Sequence, residues 1–116
     1  MLQGIQAGKY DEMLLKLYGQ EALAVQKERY SKAVEKFASL YPERTDIEVF
    51  SAPGRTEVCG NHTDHQHGKV LAAAINLDAV AVVGFHEDGV IRLHSEGYPA
   101  IDVELADLAI NEAEHG

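Results

Sequence analysis

The chain has 116 residues, of which 46% are hydrophobic and 25% are charged. This length permits one modest hydrophobic core and is too short for two ordinary domains. The 19 acidic residues outnumber the 10 basic ones, and the formal net charge of -9 would repel the phosphate backbone of a nucleic acid. The composition therefore predicts a folded globular chain and excludes a nucleic-acid partner.

The first ten residues contain one cation, Lys9, and no apolar run long enough for a signal peptide or a membrane span. We therefore expect a cytoplasmic protein with no membrane partner. The single cysteine, Cys59, excludes an internal disulfide and fits a reducing compartment. We interpret it as a small residue that fills the end of a strand, not as a nucleophile.

Two helices are predicted in an N-terminal helical segment, residues 1–45. Residues 11–19 begin with two acidic side chains and end at a glycine, which is typical of a short helix. Residues 20–41 place apolar side chains at helical spacing, and Pro42 ends the pattern. The apolar positions of this second helix are Leu23, Tyr30, Ala33, Val34, Phe37, Leu40 and Tyr41.

Strand patterns begin after the helices. Residues 47–51 alternate between apolar and polar side chains, and Pro53 and Gly54 are expected to close that strand. The run of small apolar residues at 70–76 fits a strand or the start of a helix, and we favour the strand. Residues 101–104 form a further short alternating segment.

A hairpin is predicted near the middle of this region. Residues 79–85 have the composition of a buried strand, Asp88 and Gly89 are a turn signal, and residues 90–94 are expected to pair back antiparallel. Helices followed by a mostly antiparallel sheet predict the α+β class.

The stretch between Ala52 and Val70 is crowded with polar side chains and contains three glycines, which allow sharp turns and close approach to a ligand. Carboxylate, imidazole and amide groups together suit the hydroxyls of a polyol such as a sugar. An arginine adds a fixed cation that also suits a phosphoryl group. The polar residues are Arg55, Glu57, Asn61, His62, Thr63, Asp64, His65, Gln66, His67 and Lys69.

Zinc binding is an alternative for the same stretch, because His62, Asp64, His65 and His67 are of the types that bind this metal. No further group elsewhere in the sequence completes a four-ligand site. We therefore predict no metal site in this stretch.

Residues 52–71, APGRTEVCGNHTDHQHGKVL, resemble the first motif of galactokinases, which are members of the GHMP superfamily of small-molecule kinases. The family form has Pro-Gly-Arg, then Asn-aliphatic-Ile-Gly, then Glu-His-Thr-Asp-Tyr-Asn, a glycine and Val-Leu-Pro. The resemblance continues through the predicted hairpin to a serine–glutamate pair at Ser95 and Glu96. It implies the start of a GHMP-kinase-like N-terminal domain at residues 46–116, an incomplete part of that fold.

The resemblance also implies residue roles. Arg55 would lie near the transferred phosphoryl group and stabilise the transition state. The sugar would be bound by the four consecutive residues Asn61, His62, Thr63 and Asp64. Ser95 matches a serine that contacts ATP.

The sequence departs from the family form in ways that affect this implied chemistry. Glu57, Cys59, Asn61 and His65 replace the usual asparagine, isoleucine, glutamate and tyrosine. Since an amide lacks the charge of a carboxylate, Asn61 puts the choice of sugar in doubt. The glycine- and serine-rich phosphate loop, the later aspartate and the Mg²⁺ ligands that the family needs do not occur in these 116 residues.

The leading hypothesis is therefore a galactokinase-like protein. The whole enzymes would use ATP and Mg²⁺ to phosphorylate galactose, or a related sugar, at the anomeric hydroxyl. This chain would supply the sugar-binding motif and be inactive by itself, with a small-molecule sugar as its partner. The alternative is a non-catalytic sugar-binding or sugar-sensing module derived from a kinase.

Overall fold

The computed structural model describes residues 1–60 and 67–106. This part of the chain forms helices α1 (Leu2–Gln6), α2 (Asp11–Tyr18) and α3 (Leu23–Leu40), then strands β1 (Ile47–Cys59), β2 (Leu71–Gly84), β3 (Val90–Leu93) and β4 (Ile101–Glu104). Strand β1 pairs antiparallel with β2, and β3 pairs antiparallel with β4. The α+β class, with N-terminal helices followed by antiparallel sheet, is confirmed.

Both predicted helices are present, and their limits have local causes. Helix α2 has Asp11 and Glu12 in its first turn and Lys16 in its last, a distribution that complements the helix dipole. It stops at Gly19, whose φ of 81° lies in the left-handed region that favours glycine. Helix α3 begins three residues later than predicted because residues 20–22 form a turn. The short helix α1 was not predicted.

The chain divides into two compact units, and the boundary between them follows Gly84. In the first unit, the helices pack on one face of the β1–β2 sheet. The buried cluster takes one residue from α1, one from α2 and two from α3, and alternate residues of β1 and β2 cover it. The buried residues are Ile5, Leu14, Tyr30 and Val34, and the strand residues against them are Ile47, Val49, Val80 and Val82.

Strand β1 does not end at Pro53 and Gly54, so that prediction was wrong. The strand continues to Cys59 through an irregularity, because Pro53 pairs with Asp78 whereas the next pair is Arg55 with Ala74. Within the described residues β1 has one partner strand, so a proline without an N–H group is tolerated at its free edge or at the bulge. Arg55 therefore lies on a strand and not in a loop.

The predicted hairpin between residues 79–85 and 90–94 was also wrong. The first segment belongs to β2, which pairs with β1, and β3 pairs with β4. Two local bonds direct this second pairing: the Asp88 carboxylate accepts the Val90 N–H at 3.0 Å, and the Gly89 carbonyl accepts the Leu105 N–H at 2.8 Å. The strand choices for residues 70–76 and 101–104 were correct.

No helix in residues 1–60 and 67–106 is long and apolar enough to cross a membrane.

Candidate functional site

Arg55 lies on the outer part of β1, with a side chain that is 74% exposed. Its Nη2 donates to Glu57 Oε1 at 3.1 Å, and its Nε lies 3.3 Å from the same oxygen. Residues two apart on a strand share one face, so the sequence places this pair together without any tertiary contact. Glu57, which stands where the family form has asparagine, thus holds the Arg55 guanidinium on the sheet surface.

The loop that follows β1 has its two ends in direct contact. Gly60 has a φ of 89° and packs against the backbone of Lys69 and Val70, so a Cβ at this position would overlap the Lys69 carbonyl oxygen. His67, where the described chain resumes, also has a positive φ of 55°. Only glycine allows such a close backbone approach. Gly60, Lys69 and Val70 therefore form a narrow stem, on the two sides of residues 61–66.

The four predicted sugar ligands, Asn61 to Asp64, lie outside the described residues, so their roles stay predictions. Cys59 is the last residue of β1 and is exposed, opposite Leu71. It lies at a strand end, as the interpretation required, but its exposed side chain does not fill a packed space there.

Ser95 follows β3 in an exposed turn, where its carbonyl accepts the Tyr98 N–H at 3.2 Å. It belongs to the second unit, whereas Arg55 belongs to the first. Its predicted contact with a nucleotide stays a prediction.

A network of polar side chains that the sequence did not predict lies around Asp78 of β2. The Asp78 side chain is only 3% exposed. Arg29 of α3 donates to Asp78 Oδ1 at 2.5 Å and to its carbonyl oxygen at 2.7 Å. The hydroxyls of Tyr18 and Ser51 both donate to Oδ2, the former at 2.6 Å, and the Tyr18 and Tyr30 hydroxyls are 2.8 Å apart.

The charges of this network are fixed by its own contacts. Burial disfavours the Asp78 carboxylate, but hydrogen bonds from Ser51, Tyr18 and Arg29 outweigh it and hold the pKa below its usual value. Burial and the hydrogen bond to Asp78 raise the pKa of the Tyr18 phenol, and the hydrogen bond to Asp78 raises the pKa of Arg29. At neutral pH the network therefore holds one anion, one cation and a protonated phenol.

A shallow groove of about 140 Å³ lies beside this network. Ligand pockets usually measure about 300–1,000 Å³, so the groove is too small to enclose a sugar by itself. It is lined by Leu17, Tyr18, Ser51, Pro53, Ile75, Asn76 and Asp78.

The residues at 1–60 and 67–106 do not by themselves form a site for the Mg²⁺ or for the phosphates of the ATP that the resemblance implies. In residues 1–60 and 67–106, no group of three or more His, Cys, Asp or Glu side chains is placed to hold a metal ion. The buried carboxylate of Asp78 already accepts from a cation and two hydroxyls. Helices α2 and α3 follow Tyr10 and Ala22, without the glycine- and serine-rich loop that would surround a triphosphate.

Comparison with known proteins gives one matching family model, the galactokinase galactose-binding signature, over residues 35–85. A galactokinase of Lactococcus lactis is 34% identical over 86 residues, which are 74% of this chain and 22% of that protein. A galactokinase of Streptomyces coelicolor is 44% identical over 77 residues, covering 65% of this chain and 20% of the relative. A galactokinase of Candida parapsilosis is 36% identical over 93 residues, which cover 77% of this chain and 18% of that protein.

No solved structure matches the chain significantly. The chain spans about a fifth of the length of the galactokinases it resembles. It carries the galactokinase galactose-binding signature and has partial homology to the N-terminal fifth of galactokinases.

Proposed function

We propose that this chain binds galactose or a closely related sugar as the sugar-recognition region of a galactokinase-type sugar-1-kinase. The match of residues 35–85 to the galactose-binding signature carries this proposal. The stem at Gly60 supports it, because a loop whose ends are fixed loses less conformational entropy when a ligand orders it. On the same basis we propose that residues 46–116 are the start of the kinase's N-terminal domain.

In this proposal the polar loop binds the sugar and Arg55 supplies positive charge next to it. Asn61, His62, Thr63 and Asp64 would bond to sugar hydroxyls, with the Asp64 carboxylate accepting two of them. To act there, Arg55 would have to break its ion pair with Glu57. Exposed ion pairs of this kind contribute about 0–1 kcal/mol, so a competing anion can displace Glu57 at little cost. A cytoplasmic location belongs to the same proposal.

We expect Asp64→Ala to remove galactose binding, because the variant loses the only carboxylate between residues 61 and 66. The measurement is a galactose titration followed in the ¹⁵N NMR spectrum, with Gly60 and His67 as reporters on the two sides of the loop. Asp46→Ala, which removes an exposed carboxylate before β1, is the matched control and should titrate as the unaltered chain does. Unchanged galactose-dependent shifts in Asp64→Ala would show that the loop is not the site.

We expect the 116-residue chain by itself not to phosphorylate galactose, because its sequence has no phosphate loop and no Mg²⁺ ligands of the family type. The assay is ³¹P NMR of galactose, ATP and Mg²⁺ incubated with the purified chain, with a whole galactokinase as the positive control. Appreciable galactose 1-phosphate from the purified chain would defeat this expectation.

A second candidate function is a non-catalytic sugar-binding or sugar-sensing module derived from a kinase. Asn61 favours it, because this position carries no charge where the family form has its acidic sugar ligand. The coding sequence beyond codon 116 separates the two functions. An in-frame phosphate loop would support the kinase, and a stop codon would support the module.

A further inference from the structure

The Asp78 network joins residues that lie inside the matched galactose-binding signature to residues that lie before it. Ser51 and Asp78 lie within residues 35–85, which match the galactose-binding signature. Arg29, Tyr18 and Tyr30 lie before that match, on α2 and α3. The network therefore attaches the signature region to α2 and to the part of α3 that precedes the match.

The attachment lies where β1 and β2 change register. Asp78 is the cross-strand partner of Pro53, and the next pair along the sheet is Arg55 with Ala74. Between these pairs β1 has one residue, Gly54, and β2 has three, which bends the ladder. Gly54 fits closely here, because a Cβ would lie 3.1 Å from the Leu77 carbonyl oxygen.

Beyond this irregularity the two strands continue as an arm, defined here as residues 53–60 and 69–77, that carries Arg55 and the stem of the sugar loop. The arm is largely exposed, and the helices cover residues nearer to the other end of the sheet, such as Val49 and Val82. Contacts at the base of the arm therefore set its direction. Among the described residues, the Asp78 network is the polar contact between that base and both α2 and α3.

The Asp78 carboxylate is suited to fixing that base. Each of its oxygens accepts at least one hydrogen bond, and the second nitrogen of Arg29 also holds the backbone carbonyl of the same residue. A buried charge with this many partners allows few alternative arrangements, because losing any of them leaves charge unpaired in a poorly solvated place. Its side chain is 3% exposed, so it has little surface with which to contact a ligand directly.

We propose that Asp78 is a positioning residue for the sugar site. Through Arg29, Tyr18 and Ser51 it fixes the direction in which the arm leaves the helices, and so the place of Arg55 and of the stem at Gly60. This inference rests on the proposed function for its effect on sugar, but its geometric part can be measured without any sugar.

The first test is Asp78→Asn. This change keeps the size of the side chain and removes its charge, and its amide N–H₂ group faces hydrogen-bond donors from which it cannot accept. We expect galactose affinity to fall about tenfold, the size typical of mutations that act on a site from outside it. Residual dipolar couplings of the arm amides should change relative to those of α3, while the far-UV circular dichroism keeps its helical signal. Glu48→Gln, an exposed carboxylate on β1, is the control for the lost charge and should change neither quantity.

A merely stabilising role would lower the unfolding temperature of Asp78→Asn and leave the couplings and the affinity of the folded protein unchanged, and that result would overturn the proposal. If Asp78→Asn fails to fold, Tyr18→Phe removes a single donor and must show the same two changes to a smaller degree. Asp64→Ala, titrated in parallel, separates the two claims. If it still binds galactose, the loop is not the site, and if the unaltered chain binds no galactose, the proposed function is wrong. In both cases the couplings alone decide whether Asp78 positions the arm.

Discussion

Replacing Gly60 with alanine should abolish sugar binding while the helices stay folded. Gly60 has a φ of 89°, where an L side chain is strained by about 1–3 kcal/mol. Its new Cβ would also overlap the Lys69 carbonyl oxygen and lie 3.0 Å from the Val70 Cα. Both neighbours are backbone atoms just before β2, so relief requires the stem to open.

The effect on sugar follows from the position of the stem. Residues 61–66, which include the proposed sugar ligands, follow Gly60 directly in the sequence, so an open stem no longer holds the two ends of this segment at a fixed separation. Ordering a loop with free ends costs binding energy, which adds to any displacement of the ligands. Galactose titration by NMR or calorimetry, together with circular dichroism for the helices, measures both parts of the prediction.

Gly89→Ala is the matched control for this experiment. Gly89 also has a positive φ, 74°, but a Cβ there would meet nothing within 4 Å. It therefore carries the same backbone strain without the overlap, and it should leave galactose affinity unchanged. Wild-type affinity in Gly60→Ala would show that the stem does not organise the site.

The sequence predicted most of the helices and strands because their signals are local. The periodic apolar positions of α3, from Leu23 to Leu40, indicate a helix whatever surrounds them. The composition of residues 79–84 likewise predicts the part of β2 that packs on the core. The strand end at Pro53 was wrong because the usual effect of proline depends on whether its edge is already paired, which is a property of the sheet and not of the sequence nearby.

Strand pairing and the Asp78 network escaped prediction because they depend on contacts between distant residues. The hydrogen bonds to Asp78 from Ser51, Arg29 and Tyr18 span 27, 49 and 60 residues. A signal was present, since a carboxylate within an apolar run needs a partner if it is buried. The sequence offers many candidate partners, and only the fold selects among them.

The environment of Arg55 was predicted only in part from the sequence. The motif identified the residue, and its ion pair with Glu57 follows from their spacing on a strand. That the two residues lie on a strand depended on β1 continuing past Pro53 to pair with β2. The ion pair thus follows from residue types and spacing, whereas the strand that brings the two side chains to one face does not.

The second large effect is expected from Leu14→Ala, which should unfold the helices. Leu14 is 2% exposed and lies in a cluster with Ile5, Tyr30 and Val34, the buried hydrophobic residues of the described chain. Truncating a buried leucine to alanine costs about 2–5 kcal/mol. Ordinary domains have only about 5–15 kcal/mol of stability in total, and a core of this size places the chain at the low end of that range.

Met13→Ala is the matched control, since Met13 precedes Leu14 on the same helix and is 50% exposed. Its truncation should change stability by no more than about 0.5 kcal/mol. Thermal unfolding followed by far-UV circular dichroism should show Leu14→Ala largely unfolded at 25 °C, or its midpoint lowered by at least about 10 °C. A midpoint equal to that of Met13→Ala would mean that the cluster does not hold the helices together.

The same variant connects the core to the sugar site. Tyr18 lies one helical turn after Leu14 on α2, so loss of this helix removes a donor from Asp78 and uncovers the base of the arm. Galactose affinity should therefore fall in Leu14→Ala even at temperatures where the β1–β2 amides remain protected from exchange. If the galactose affinity follows the exchange protection of the amides in β1 and β2, and not that of the amides in α2, then the helices support the sheet without directing the site.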